Sequence, residues 1–246
     1  MSVLIENQIK DLIKDKKVLK PREIQEAFNL TLATTRRYLL KLEQQNIIKR
    51  NFGEIIYIEE ENSYIDSDAV VKINTDAETK KQIAQKAAQL VGDHKTVYLD
   101  AGSSCYYLLD YLPKDLIIYT NSIINAQRAI ILGFESVNII GGMIKPTTYG
   151  IVDLDLEFLS KITFPISFMG VNAISKDGCL MTPEKRECLS KAQIAEKSDL
   201  VIALAETKKF DRLSVFDFTP KNKTVIVVTE DKKLVETSKY KKLTIV

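Results

Sequence analysis

Apolar residues in the first 58 positions recur at the spacing of helix faces. Leu4, Ile5, Ile9, Leu12 and Ile13 mark one stripe within residues 2–15. A Lys-rich turn follows, and Pro21 then stands at a natural first helical position, with Ile24, Ala27 and Phe28 along one face. After the break Asn29-Leu30-Thr31 a third helix starts at Thr31 or Ala33 and reaches about Gln45. Leu32, Leu39 and Leu42 turn inward from it, and Thr34, Arg36, Arg37 and Lys41 occupy the other face. Two β-prone runs, Ile47 to Lys49 and Ile55 to Ile58, flank Asn51-Phe52-Gly53-Glu54, the pattern of a hairpin.

The pattern changes after residue 58. Residues 59–75, opened by Glu59-Glu60-Glu61, are acidic, polar and aperiodic, the composition of a linker. A helix is predicted from Asp76 to Val91, with Ile83, Ala84, Ala87, Ala88 and Leu90 at its apolar positions and Gly92 closing it. Apolar runs of strand length then alternate with helical patterns. Strands are predicted at 97–100, 116–120, 137–140, 166–170, 200–205, 224–228 and 243–246, and helices at 103–112, 122–132, 155–162 and 185–198. This alternation predicts an α/β domain over 76–246, its sheet mostly parallel and covered on both faces.

Composition narrows the class. A chain of 246 residues accommodates a small and a medium domain, and 45% apolar with 28% charged residues is ordinary for a globular protein. The net charge is only +2, but residues 1–58 hold eleven Lys or Arg against seven Asp or Glu, so the basic excess sits in that quarter. Cys105, Cys179 and Cys188 are scattered, odd in number and in no metal-like spacing, which fits a reducing compartment. Leu4 and Ile5 give way at once to Glu6, Asn7 and Gln8, so no signal peptide is expected. With no apolar run of membrane length, the expected location is the cytoplasm.

Three short helices and a hairpin, with a close second-to-third turn, are the order of a winged helix-turn-helix over residues 1–58. Its third helix would lie in the major groove. Thr34, Thr35, Arg36, Arg37 and Lys41 are then the candidates for bases and phosphates, and Lys49 and Arg50 at the wing for DNA backbone. A small helical domain with a solvated basic face shares that composition. The coincidence of all these features in order favours DNA.

In the second domain, Val97 to Asp100 runs into Gly102 and two serines, a strand, a turn and a helix opening on Ser103 or Ser104 as its N-cap. Such a turn is either an anion-binding corner or an ordinary capped connection. Other groups at predicted strand ends are Thr120-Asn121-Ser122, Gly141-Gly142, Gly170, Asn172 and Glu206 to Lys209.

These blocks resemble the DeoR family of bacterial transcriptional regulators over nearly the whole chain. In the first domain the match is Thr34-Thr35-Arg36-Arg37-Tyr38-Leu39 with Leu42-Glu43, then Ile47-Ile48-Lys49-Arg50 and Gly53. Tyr38 stands where the family usually has an acid, and Asn51-Phe52-Gly53 replaces a His-Gly-Gly wing. In the second it is Lys81, Ile83-Ala84, Ala87-Ala88, Asp100 to Ser104, Thr120 to Ser122, Gly141-Gly142, Gly170, Gly178, Thr182-Pro183, Glu187, Lys191 and Lys209-Phe210.

The resemblance implies a second domain similar to ribose-5-phosphate isomerase, related to the CoA-transferase-like folds, that senses a phosphorylated sugar and forms a homo-oligomer, a dimer or a tetramer. It implies a repressor of a carbohydrate or nucleoside catabolic operon. On that reading Gly102, Ser103 and Ser104 hold phosphate, Thr120, Asn121, Ser122, Gly141 and Gly142 shape close approaches, and Lys191 or Lys209 neutralises charge. Asp100 and Glu187 suit sugar hydroxyls. Lys145 is read as a solvated lysine beside the Gly-Gly turn.

A sugar-phosphate isomerase or deaminase is the rival. Such enzymes need acids to move protons, and Gly170-Val171-Asn172-Ala173-Ile174-Ser175 has no carboxylate where the isomerases carry them. Glu187 remains as a conceivable base. His94 is the sole histidine, which disfavours a Ser-His-acid triad or a histidine metal site, so no catalytic residue, metal or cofactor is expected.

Overall fold

The computed structural model describes residues 3–16, 18–44, 47–51, 54–57, 69–240 and 242–246. The chain divides into two compact units, Met1–Asn62 and Ser63–Val246.

The first unit runs α1 (Val3–Lys16), β1 (Val18–Leu19), α2 (Pro21–Phe28), α3 (Leu32–Gln44), β2 (Ile48–Asn51) and β3 (Glu54–Tyr57). Pro21 opens α2, whose first turn is tied by the Lys20 N–H donating to Glu23 Oε2 at 2.7 Å. Asn29 then adopts a left-handed φ of 49° and stops the helix. Thr31 caps α3, its Oγ1 accepting from the Thr34 N–H at 3.3 Å. Ile9, Ile13, Leu19, Ile24, Tyr38, Leu39, Leu42, Ile48 and Ile55 close the core. Tyr38, set apart from the family pattern, is therefore a packing residue.

Two expectations change here. Leu32 is 68% exposed rather than inward, because it opens α3 before the helix reaches the core. The Lys-rich turn contains β1, which pairs with β3 and makes the hairpin a three-stranded sheet in the order β1-β3-β2. Phe52 and Gly53 at the wing lie outside the described residues.

The second unit opens with α4 (Ala69–Asn74), inside the stretch expected to be linker; residues 59–68 of that stretch, and Ile58 at the end of the expected hairpin, lie outside the described ones. Then follow α5 (Ala77–Ala88), β4 (Thr96–Leu99), α6 (Ser103–Leu108), β5 (Ile117–Thr120), α7 (Ile123–Ile131), β6 (Ser136–Ile139), β7 (Met143–Lys145) and β8 (Gly150–Val152). The chain continues through α8 (Leu156–Ser160), β9 (Phe164–Gly170), β10 (Ala173–Ile174), β11 (Leu180–Thr182), α9 (Lys185–Glu196), β12 (Ser198–Leu204), β13 (Phe216–Asp217), β14 (Thr224–Val228) and β15 (Thr244–Ile245).

Seven strands form one sheet in the order β15-β14-β12-β9-β4-β5-β6, and every neighbouring pair is parallel. Side chains alternate across it as the pleat requires. Val97 and Leu99 of β4 join Ile83, Ala84, Leu108, Ile166 and Phe168 on one face. Tyr98 joins Phe164, Met169, Val201 and Val225 on the other. Both faces are dry, so the strands read as continuous apolar runs. The hairpin β7–β8 and the antiparallel sheet β10-β11-β13 are additions to this frame. Among the described residues no helix is long and apolar enough to cross a membrane.

Candidate functional site

In the first unit, α3 presents Ala33, Arg36, Arg37, Leu40 and Lys41 to solvent. Their spacing puts them on one side of the helix, opposite buried Tyr38, Leu39 and Leu42. Thr35 does not belong to that face. It is fully buried and its Oγ1 donates to the Thr31 carbonyl at 3.0 Å, so it holds the helix start together. Thr34 is half-buried and shares a 2.9 Å hydrogen bond with Thr31 Oγ1. Arg50 reaches back from β2 to Glu43 of α3, with Nε at 2.8 Å, and so clamps the wing onto the helix. The side chain of Lys49 lies outside the described residues. Exposed Leu32, expected inward, and Leu40, for which no role was expected, add apolar surface beside the arginines, of the kind that contacts a thymine methyl.

In the second unit, the parallel strands deliver their carboxyl ends to one edge, where β4 and β9 come together. Gly102 and Gly170 face each other there. A Cβ on Gly102 would lie 3.2 Å from Gly170 Cα, so the glycines are needed for backbone contact. Gly102 itself has an ordinary extended conformation with φ −82° and serves as the N-cap of α6. The expected serine cap is thus corrected: Ser103 and Ser104 are the first two helical residues, Ser104 is buried, and α6 ends at Leu108.

Asp100 and Lys191 meet at this point as a buried ion pair, 2% and 4% exposed. Asp100 Oδ2 also accepts from the Gly170 N–H at 3.0 Å, and Lys191 Nζ donates to the Gly170 carbonyl at 2.9 Å. Burial works to depress the Lys191 ammonium, but Asp100 and Glu187 outweigh it and hold its pKa above the ordinary lysine value. Asp100 Oδ2 is thus held inside the fold, by Lys191 and the Gly170 N–H, before any ligand arrives. Lys191 is likewise engaged.

Lys209 Nζ donates to the Val171 carbonyl at 2.9 Å and stands 3.6 Å from buried Glu206, a carboxylate it shares with fully buried Lys80 and with Lys208. The interior lysine of α5 is therefore Lys80; Lys81, which carried the resemblance, lies at the surface against Glu78.

The hydroxyls at the tip of β5 are also used internally. Thr120 Oγ1 accepts from the Ser122 N–H at 3.1 Å, and Ser122 Oγ caps α7 by accepting from the Asn125 N–H at 3.2 Å. Asn121 donates through Nδ2 to the Ile151 carbonyl at 2.9 Å, while its buried Oδ1 has no hydrogen-bond partner. Gly142 takes φ +155°, and a Cβ there would strike the Val152 carbonyl at 2.5 Å, so this glycine allows the close backbone approach at the base of the β7–β8 hairpin. Gly141 is open to solvent.

The hairpin was not anticipated. It carries Lys145 to 3.3 Å from Glu187 and 3.6 Å from Glu184, only 16% exposed. Lys145 is therefore part of the charged group and not a solvated lysine. Glu187 lies 3.5 Å from Lys191 on its other side. Of the groups expected at this site, the structure brings Asp100, Gly102, Ser103, Ser104, Glu187 and Lys191 together around the β4 and β9 tips. No group of His, Cys, Asp or Glu that could hold a metal ion occurs among the described residues.

Comparison with known proteins bears on both units. Residues 6–61 match the model of the DeoR-like helix-turn-helix domain, and residues 75–231 match the DeoR C terminal sensor domain. An uncharacterized HTH-type transcriptional regulator, FruR, of Bacillus subtilis is 27% identical over 91% of this chain and 89% of its own length. The glycerol-3-phosphate regulon repressor of Escherichia coli is 26% identical over 84% and 82%. Among solved structures, ribose 5-phosphate isomerase from Plasmodium falciparum overlaps 53% of this chain and 52% of its own at 19% identity and a TM-score of 0.39. With both family models matched in order along one chain, the protein belongs to the DeoR family of DNA-binding transcriptional regulators.

Proposed function

We propose that the protein is a repressor of a carbohydrate or nucleoside catabolic operon, released from its operator by a phosphorylated sugar. The observation that carries the DNA-reading half is the single exposed face of α3 bearing Arg36, Arg37 and Lys41. Arginine is suited to bidentate contact with guanine, and all three suit phosphate. Subunits paired through their sensor domains would place two such helices on half-sites one helical turn apart, roughly 34–36 Å, or a multiple of it.

The effector half is supported by the cluster of polar and charged groups at the tips of a parallel sheet, where ligands of such folds bind. A relative named for a glycerol-3-phosphate regulon points to the same phosphoester class. Ser103 and the backbone of Gly102 face the anionic group in this reading, and Glu187 and Lys145 border it. An enzymatic role has less support, because Glu187, the conceivable base, is flanked by two lysines.

Arg37→Ala tests the DNA half. Operator affinity, measured by fluorescence anisotropy over a salt series, is expected to fall, and the log–log salt slope to drop by about 1 if Arg37 meets a phosphate. A change specific to one base position would instead place it on a base edge. Unchanged affinity would refute the recognition face. A thermal-shift screen with phosphorylated sugars tests the effector half, because a ligand that binds only the native chain raises its melting point.

A further inference from the structure

We propose that Lys145 is the cation that receives the anionic group of the effector, and that Glu187 occupies it until the effector arrives. This rests on the phosphoester reading above and assigns an exchange within that site. The side chains at the strand tips form an alternating row of charge: Asp100, Lys191, Glu187, Lys145, Glu184.

Its links are not equally firm. Asp100 and Lys191 are almost completely buried, and each is also bonded to the backbone of Gly170. Glu184 has a second task, accepting from the N–H groups of Arg186 and Glu187, both at 3.1 Å, to cap α9. The Lys145–Glu187 contact, 3.3 Å, differs from the buried pair in joining side chains 16% and 20% exposed.

A partly hydrated pair changes partners at small cost. Taking one member from a dry pair strands the other charge in a poor dielectric. An entering phosphate dianion therefore draws Lys145 from Glu187 and leaves Asp100 with Lys191. The hairpin keeps Lys145 at hand, since the Ile151 N–H donates to the Asn121 carbonyl at 2.6 Å and the Ile123 N–H to the Tyr149 carbonyl at 3.0 Å. On this account Glu187 is a resident competitor of the ligand and not a partner for its hydroxyls.

The experiment is calorimetric titration of the full chain with inorganic phosphate and with ribose 5-phosphate, each variant first checked by thermal melting. Glu187→Gln is expected to bind both probes about fivefold more tightly, the scale of one partly exposed ion pair. Lys145→Met is expected to bind more weakly, and Lys145→Arg to restore binding. In the Lys145→Met background, Glu187→Gln should change nothing, because the competition has lost its object. A gain that persists in that background would show a general field effect and overturn the exchange. Equal or weaker binding by Glu187→Gln would overturn it too, while binding by the wild-type chain would leave the phosphoester reading standing. No binding by the wild-type chain or by Glu187→Gln would overturn both.

Discussion

Asp100 shows how one side chain is claimed twice, once by the pattern of the sequence and once by the fold. Its position at the end of an apolar run, ahead of Gly-Ser-Ser, marks it for a ligand. The partner that holds it, Lys191, is 91 residues away on α9. Spacing along a chain identifies charges at strand ends but not which of them face one another. That is why the location was legible and the pairing was not. Thr35 carries the same lesson, since a hydroxyl in a recognition helix looks free until its neighbour Thr31 is seen to accept from it. Asp100→Asn is expected to cost about 3 kcal/mol of stability in urea unfolding, the low end for a broken buried pair. The low end applies because Glu187 still stands 3.5 Å from the stranded Lys191.

At the level of elements, all seven strands of the main sheet were legible, because strands buried on both faces leave long apolar runs between helical patterns. The missed elements are those too short to show a period. Met143-Ile144-Lys145 and Gly150-Ile151-Val152 hold three residues each, and β1 holds two. The predicted helix at 103–112 was drawn too long, since its leucines continue past Leu108 while the backbone turns away. The β7–β8 hairpin matters most among the missed pieces, because it places Lys145. The packing at its base depends on Gly142, where any side chain meets both an unfavourable φ and the Val152 carbonyl. Gly142→Ala should lower stability by about 1–3 kcal/mol. It should also weaken phosphate binding in the same preparation.

Across the whole chain, the two units have separate cores, one of nine buried residues around Ile9, Tyr38 and Leu42 and one on each face of the parallel sheet. Calorimetry should accordingly resolve their unfolding. Leu42→Ala is expected to cost the first unit about 2–5 kcal/mol and leave the transition of the second in place. A bound phosphoester should raise the second transition. A coupling between effector and operator of about 1–3 kcal/mol would change DNA affinity roughly 5–150-fold, enough for a switch.

The strand order has a further consequence in time. The hydrogen bond from the Gly170 N–H to the Asp100 carboxylate, at the tips of neighbouring strands in the middle of the sheet, joins residues 70 apart in sequence. Distant pairings of this kind form slowly, while the local contacts of the first unit form early. As the polypeptide leaves the ribosome, its DNA reader is complete well before its sensor can close. A nascent chain would thus pass through an interval in which its reading head is folded while the half that follows it is not.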